Sequence, residues 1–187
     1  MKAYLILIGL TFMSNHFLDF KDVDSEEVKK VATSFHEWYL KHAGSGYASS
    51  VIKVDQSPEG TSQLNVASYV NQLNNLGTIS QKFIESEKQR LSSCSKHLSK
   101  IDWEEFQMAE GYEYEEKCGF FYHYYWLNSQ EMPDTVKAVN VEEKGDYWIV
   151  CLNFFSVRNG EEWLWRSYQP KVKVEEIDGQ LKIKGIQ

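Results

Sequence analysis

The sequence predicts a single α+β domain in which helices pack in the concave face of a curved antiparallel sheet of about four strands. The last third of the chain contains three tight-turn signals between apolar stretches: Lys144-Gly145, Asn159-Gly160 and Asp178-Gly179. Asn-Gly and Asp-Gly favour type I′ hairpin turns, in which both central residues have φ above zero. The first half of the chain shows helical periodicity instead. Helices followed by a meander of strands are typical of an α+β domain, here with a sheet wrapped around a helix.

The length and charge of the chain limit its architecture and its partners. With 187 residues the chain is long enough for one well-buried core, and we expect residues 21–187 to form one domain. The formal charge is −7, from 27 acidic and 20 basic residues, and the basic residues are scattered along the chain. A nucleic-acid partner is therefore not expected, because binding to phosphates requires a positive surface.

The N-terminus has the pattern of a signal peptide. Lys2 precedes an apolar run over residues 3–13, after which the chain turns polar. A run of this length is too short to span a bilayer but suits the apolar region of a secretory signal. The sequence thus predicts a signal peptide over residues 1–20, export to the periplasm or the medium, and no membrane span. The alternative is that this run forms a strand or helix of the core.

The three cysteines are compatible with one disulfide and one buried thiol. Cys151 lies inside an apolar strand pattern, where a free cysteine behaves as a small apolar residue. In an exported protein the remaining pair, Cys94 and Cys118, is then the candidate disulfide. The alternative is that all three cysteines are reduced.

Residues 25–43 form the best-defined predicted helix. Seven of its residues repeat at helical spacing and fall on one stripe: Val28, Val31, Ala32, Phe35, Trp38, Tyr39 and His42. This is the helix that the sheet is expected to wrap.

Between this helix and the strands, the sequence predicts two further helices and a short helical turn. Helices are predicted over residues 65–76 and, from a capping box at Thr78 and Gln81, up to about residue 98. Asp102 caps a short helical turn. Two segments are not assigned to helices or strands: residues 47–62 are a predicted loop, and the aromatic tract over residues 112–126 has no decisive period.

Strands are predicted near residues 135–143, 146–157, 162–176 and 180–186. In the last hairpin, four apolar residues share one face, which we take as the buried one: Val172, Val174, Leu181 and Ile183. Because side chains alternate along a strand, this parity carried back places Asn153, Arg166 and Tyr168 on the buried, inner face. A bulge at Pro170 would invert this assignment.

Each sheet face suggests a different kind of site. An aromatic-lined cavity with converging polar groups is the usual form of a ligand site. The ligand-binding candidates are therefore the polar groups expected to face the cavity: Tyr39, His42, Asn153, Arg166 and Tyr168. The opposite face carries four large aromatic residues that are candidates for an interface, including one between two copies of the chain: Trp148, Phe154, Trp163 and Trp165.

Several short segments resemble one known superfamily. They are Phe35-His36-Glu37-Trp38-Tyr39-Leu40, Leu76-Gly77-Thr78-Ile79-Ser80 with Phe83-Ile84, and Ser129-Gln130-Glu131. With the order of helices and strands, they resemble the cystatin-like cone fold of the nuclear transport factor 2-like superfamily, and within it an exported bacterial family of unknown function. The resemblance implies the cone fold and a pocket or a dimer. It supplies no catalytic residues.

The residues offer little support for catalysis or metal binding. His36 and His42 are six residues apart on the helix, so they do not face one metal ion as an i, i+4 pair would. Cys118 with His123 is the only candidate thiol nucleophile, and the disulfide competes with it. Neither a metal ion nor another cofactor is expected, and catalytic residues stay unknown.

These patterns lead to two functional hypotheses. The first is an exported, non-enzymatic binding domain with a small-ligand pocket in the cone or a protein partner on the aromatic sheet face. The alternative is an isomerase or dehydratase that uses the cone cavity, since the superfamily also hosts such enzymes. That chemistry needs an acid or a base of shifted pKa inside the cavity.

Overall fold

The computed structural model describes residues 23–43, 51–165 and 168–187. Within these residues the chain forms five α-helices: α1 (Ser25–Ala43), α2 (Val66–Asn75), α3 (Gln81–Leu98), α4 (Trp103–Met108) and α5 (Tyr112–Cys118). A 3₁₀ turn covers Tyr125–Leu127. In the described part of the chain, no helix is long and apolar enough to cross a membrane. The predicted signal peptide lies outside the described residues.

Local chemistry explains where the longer helices begin. The side chain of Asn65 accepts a hydrogen bond from Ser68 N and caps α2, while Ser80 accepts one from Phe83 N and caps α3. The capping box predicted at Thr78 thus starts two residues too early. The aromatic tract forms α5, which ends at Gly119 in the left-handed conformation, φ 72°.

The strands form two antiparallel sheets. The small sheet pairs β1 (Val54–Gln56) with β2 (Ser62–Leu64), in a segment for which a loop was predicted. The large sheet contains β3 (Thr135–Glu143), β4 (Tyr147–Arg158), β5 (Glu161–Trp165), β6 (Lys171–Ile177) and β7 (Gln180–Ile186). Its order is β3-β4-β6-β7, with β5 also paired to β4. The chain is therefore α+β, as predicted, and the large sheet is neither closed nor strongly curled.

The predicted turns set the hairpin registers. Asn159 and Asp178 have φ of 54° and 52°, and the glycine after each is also positive, as type I′ turns require. Arg158 therefore pairs with Glu161, and Phe154 pairs with Trp165, as a two-residue loop at Asn159-Gly160 requires.

The assignment of faces in β4 is wrong. The predicted strand over residues 162–176 is two strands, which occupy successive parts of the same edge of β4. Cys151 consequently pairs with Lys171, and Val150 pairs with Val172. The break ends at Pro170, which lacks an N–H and accepts a hydrogen bond from Leu152 N through its carbonyl. The parity of one strand cannot be carried through this break.

One layer of helices covers one face of the large sheet. Helix α1 contacts β3, β4, β6 and β7, and α3 also contacts β7. The side chains of β4 on this inner face are Trp148, Val150, Leu152 and Phe154; the last three are fully buried. They join Val172, Val174 and Ile183, as well as α1, in one core. The prediction that the apolar side chains of β6 and β7 lie on the face that packs against α1 is therefore confirmed.

Candidate functional site

The residues predicted to bind a ligand do not converge. Tyr39 is buried in the core, whereas His42 is exposed at the end of α1, where its Nδ1 lies 2.8 Å from the Trp38 carbonyl oxygen. Asn153 lies on the outer sheet face and accepts a hydrogen bond from Gln169 Nε2 at 3.0 Å. Tyr168 is half-buried and stacks on Phe154, with ring centres 6.1 Å apart. Arg166 lies outside the described residues.

The four aromatic residues predicted to form an interface lie at different depths. Phe154 is fully buried against α1, so this residue is unable to contact a partner of the folded domain. Trp148 and Trp165 are half-buried on the same inner face. Trp163 is 58% exposed and pairs with Ser156, beyond the part of the sheet that α1 covers. The structure thus leaves one of the four largely exposed.

The hairpin of β4 and β5, which carries Trp163, exposes two further apolar side chains. Val157 is 46% exposed and Leu164 is 39% exposed, and they lie on the face opposite to Trp163. A salt bridge of 2.5 Å between Lys137 Nζ and Glu162 Oε2 joins the hairpin to β3. Among the described residues, β5 pairs only with β4, so its other edge has no partner strand there.

The buried side of α1 presents two polar groups to the 3₁₀ turn. His36 Nδ1, His36 Nε2 and Tyr39 Oη are buried and have no hydrogen-bond partner of ordinary geometry among the described residues. Burial lowers the pKa of His36 to about 3, although the nearby main chain of Trp126 acts in the opposite direction. Burial also raises the pKa of Tyr39. His36 is therefore a neutral imidazole in the folded protein near neutral pH.

A second polar group, centred on Glu87, is buried between α2, α3 and the turn. Glu87 Oε2 accepts hydrogen bonds from Tyr69 Oη at 2.9 Å and Arg90 Nη2 at 2.8 Å, and Glu87 Oε1 accepts one from Arg90 Nε at 2.9 Å. Trp126 Nε1 donates to Tyr69 Oη at 3.4 Å. Burial, followed by the charge of Glu87, raises the pKa of Tyr69 well above its ordinary value. The network therefore holds a neutral tyrosine next to a carboxylate–guanidinium pair.

Sequence reasoning missed this network although the sequence contains a signal for it. Phe83, Glu87 and Leu91 are spaced four residues apart, which places Glu87 in the middle of the apolar stripe of α3. An acidic residue at such a position needs a buried partner. Arg90, three residues later, supplies it.

The disulfide fixes the segment that covers the network. Cys94 in α3 and Cys118 at the end of α5 are bonded, so the sulfurs predicted as a pair are joined. The side chain of Glu115 then accepts hydrogen bonds from Phe121 N and Tyr122 N, each at 2.8 Å. Together these links hold the chain that leads into the 3₁₀ turn.

Metal chemistry finds no support in this arrangement. Within residues 23–43, 51–165 and 168–187, no three His, Cys, Asp or Glu side chains are grouped so that they could hold a metal ion. The polar clusters described above instead link helices to the turn.

Neither a protein-family model, nor a curated protein, nor a solved structure matches this chain. The resemblance to the nuclear transport factor 2-like superfamily therefore stays a prediction.

Proposed function

We propose that this chain is an exported, non-enzymatic binding domain whose partner is a protein that docks on the β4–β5 hairpin. The observation that carries the proposal is the exposure of apolar side chains on both faces of this hairpin: Trp163 at 58%, Val157 at 46% and Leu164 at 39%. Val157 and Leu164 are neighbours on one face and Trp163 lies on the other. Exposed apolar side chains grouped on one element are typical of interaction sites. Tryptophan is also the residue type most enriched at energetically important interface positions.

The backbone of β5 supports the same proposal. Within the described residues this strand has hydrogen-bond partners on one side only. An open strand edge is able to accept an extended segment of another protein through main-chain hydrogen bonds. The neighbouring apolar side chains would then provide the contacts that select the segment.

A small-ligand pocket has less support than a protein partner. The polar groups expected in such a pocket are spread over the molecule: Tyr39 lies in the core, His42 at a helix end and Asn153 on the outer face. A ligand site requires such groups to converge on one cavity.

The enzymatic alternative also has less support. The buried carboxylate of Glu87 already accepts three hydrogen bonds, one from Tyr69 and two from Arg90. A general base has to reach the substrate proton directly or through one water molecule. Glu87 would have to abandon these bonds to do so, whereas in its present geometry it joins α2 and α3.

Export is supported by the disulfide. Bonds such as Cys94–Cys118 persist in oxidising compartments and are rare where glutathione keeps thiols reduced. A reporter enzyme that is active only outside the cytoplasm, fused after residue 30, tests this part of the proposal. Activity that depends on residues 1–20 is expected, and a reporter that stays inactive contradicts export.

Site-specific photocrosslinking tests the protein partner. Trp163 is 58% exposed, and Glu59, between β1 and β2, is an exposed position away from the hairpin, so position 59 is a control for position 163. With a photoreactive amino acid in the cells that make the protein, we expect a discrete crosslinked protein from position 163 and none from position 59. Val157→Ser should weaken the crosslink because Val157 lies on the same hairpin.

Two results of this experiment contradict the proposal. One is equal crosslinking from positions 59 and 163, and the other is no crosslinked protein from either position. Circular dichroism of each variant shows whether the domain is still folded, so a misfolded variant is not mistaken for a negative result.

A further inference from the structure

The outer face of the large sheet, opposite α1, has an apolar centre and a basic rim. Four half-buried side chains of β4 form the centre: Tyr147, Ile149, Cys151 and Phe155. The strands carry five lysines on this face: Lys137, Lys171, Lys173, Lys182 and Lys184. Three glutamates accompany them: Glu142, Glu162 and Glu175. The face is thus positive in a chain whose net charge is −7.

The lysines border the apolar centre directly. Lys173 Nζ lies 3.5 Å from the centre of the Tyr147 ring, and Lys137 Nζ lies 5.3 Å from that of Phe155. Glu175 forms ion pairs with Lys173 and Lys184. Burial opposes ionisation of Glu175, but its hydrogen bonds and ion pairs with the two lysines lower its pKa. This part of the rim is therefore ordered before any partner arrives.

A second surface has the opposite charge and also combines charged with apolar side chains. Residues 102–117, which include α4 and α5, contain six exposed acidic residues: Asp102, Glu104, Glu105, Glu110, Glu113 and Glu116. The only basic residue of this segment is Lys117. Between the acidic residues, Met108 is 80% exposed and Tyr112 is 58% exposed. We call residues 102–117 the acidic surface.

We infer that the chain associates with itself head to tail, the outer sheet face of one copy binding the acidic surface of the next. The two surfaces have opposite charges, and both have apolar side chains among the charged ones, half-buried on the sheet face and exposed on the acidic surface. Complementary charges attract the copies and fix their orientation, while the apolar side chains lose contact with water.

The positions of the two surfaces favour contact between copies rather than within one. Helix α5 contacts α3, which belongs to the helix layer on the inner face of the sheet. The lysines lie on the other side of that sheet. A face-to-face pair of two outer sheet faces would instead bring lysine against lysine. Head-to-tail contact is heterologous, so it continues into rings or linear chains unless one surface is blocked.

This inference goes beyond the proposed function. Its surface is centred on the outer face of β4 and β6, whereas the crosslinking position of the proposed function, Trp163, lies on the opposite face of the hairpin. Sedimentation velocity of the purified full-length protein tests it over a range of protein concentrations. We expect species larger than a single chain of 21.8 kDa, in amounts that rise with protein concentration. Raising the salt from about 0.05 M to about 0.5 M should dissociate them, because the Debye length shortens.

Charge-reversal variants distinguish the two surfaces. Lys171→Glu changes an exposed position of the basic rim, and Glu110→Lys/Glu113→Lys changes the acidic surface. Each variant alone should be monomeric, with association weakened by about tenfold or more. An equal mixture should form a complex of two chains and no larger species, since it contains one intact copy of each surface. Lys30→Glu on α1 and Glu59→Lys between β1 and β2 are matched controls that should associate as the unchanged protein does.

Three results overturn the inference. The first is a monomer at every concentration and low salt. The second is association that the control substitutions weaken as much as Lys171→Glu does. The third is a two-chain species of the unchanged protein that Lys171→Glu abolishes and that Glu110→Lys/Glu113→Lys leaves intact. Such a result would indicate a symmetric dimer through the outer sheet face.

Cys151 provides a reporter in the unchanged protein. This free cysteine is partly exposed on β4, opposite Lys171, at the centre of the outer face. Its rate of alkylation by a maleimide should fall as protein concentration rises and recover in high salt. An alkylation rate that is independent of concentration while larger species form contradicts the proposed contact.

Discussion

The guanidinium of Arg90 lies 3.9 Å from the centre of the Tyr125 ring and also makes two hydrogen bonds to the carboxylate of Glu87. Tyr125 precedes Trp126, whose ring stacks with that of Phe83 at 5.6 Å between centres. Burial acts to lower the pKa of Arg90, but its hydrogen bonds with Glu87 and the charge of that residue raise it. The ion pair thus connects α3 with the aromatic turn, and its loss should affect the whole helix layer.

Arg90→Met is expected to destabilise the fold strongly. Methionine retains an apolar stem against Tyr125, but it leaves the buried carboxylate of Glu87 without its cation. Removing one partner of a buried ion pair costs about 3–5 kcal/mol of unfolding free energy. Urea denaturation followed by circular dichroism measures this loss.

Lys88→Met is the matched control for this substitution. Lys88 pairs with Glu85 on the exposed side of the same helix, three residues apart like Glu87 and Arg90. An exposed pair of this kind contributes about 0.5 kcal/mol or less. Similar losses for both variants would show that the Glu87–Arg90 pair is not the special contact described above.

The buried imidazole of His36 should make the protein less stable in acid. Its pKa is about 3 in the folded protein, compared with 6.5 for an unperturbed histidine, so the unfolded chain takes up the proton first as the pH falls. Stability should therefore be independent of this group above about pH 6.5 and decrease between about pH 6.5 and 3. The shift corresponds to a loss on the order of 5 kcal/mol across that window.

Unfolding free energies measured at successive pH values test the assignment to His36. His36→Phe should flatten the decrease between about pH 6.5 and 3, whereas His42→Gln should leave it unchanged, since His42 is exposed. A decrease that persists in full in His36→Phe would assign the acid sensitivity to other groups.

The disulfide should contribute a measurable share of the stability. Cys94 and Cys118 are 24 residues apart in sequence, and closing a loop of this size stabilises a fold by about 3 kcal/mol in the chain-entropy model. Cys94→Ala/Cys118→Ala should lose about this amount in urea denaturation. The intrinsic tryptophan fluorescence should also change, because the disulfide holds the segment that leads to the turn containing Trp126.

Cys151→Ala separates the disulfide from a general effect of removing sulfur. Cys151 is free and only partly buried, so its loss should destabilise the fold by about 1 kcal/mol or less. If reduction of the unchanged protein with dithiothreitol leaves its unfolding midpoint in place, the disulfide does not stabilise the fold as predicted.

Sequence reasoning succeeded where the determining interactions are local. The turns at Asn159-Gly160 and Asp178-Gly179 follow from two adjacent residues with positive φ, and they fix the pairing of Arg158 with Glu161. The main helix follows from a repeat within one segment, and its predicted bounds, 25–43, are those of α1. In both cases the sequence itself contains the residues that decide the structure.

The face of β4 and the polar core depend on contacts that a local pattern does not contain. Strands β5 and β6 are separated by residues 166–170, and the parity of side chains does not pass through such a break. The partners of Glu87 come from α2 and from its own helix, so Tyr69 was not recognisable as one of them. The candidate site was therefore assembled from residues that the fold places on opposite sides of the sheet.

Phe154 and Phe155 provide a direct test of the face assignment, because they are neighbours on β4 that point to opposite sides. Phe154 is fully buried against His36, with ring centres 5.3 Å apart, whereas Phe155 is half-buried on the outer face near Lys137. Phe154→Ala should therefore cost about 3–5 kcal/mol of unfolding free energy. Phe155→Ala should cost less, about 1–2 kcal/mol, since its ring is only partly buried. Urea denaturation of the two variants under one set of conditions measures both losses, and a larger loss for Phe155→Ala would restore the opposite face as the core of the domain.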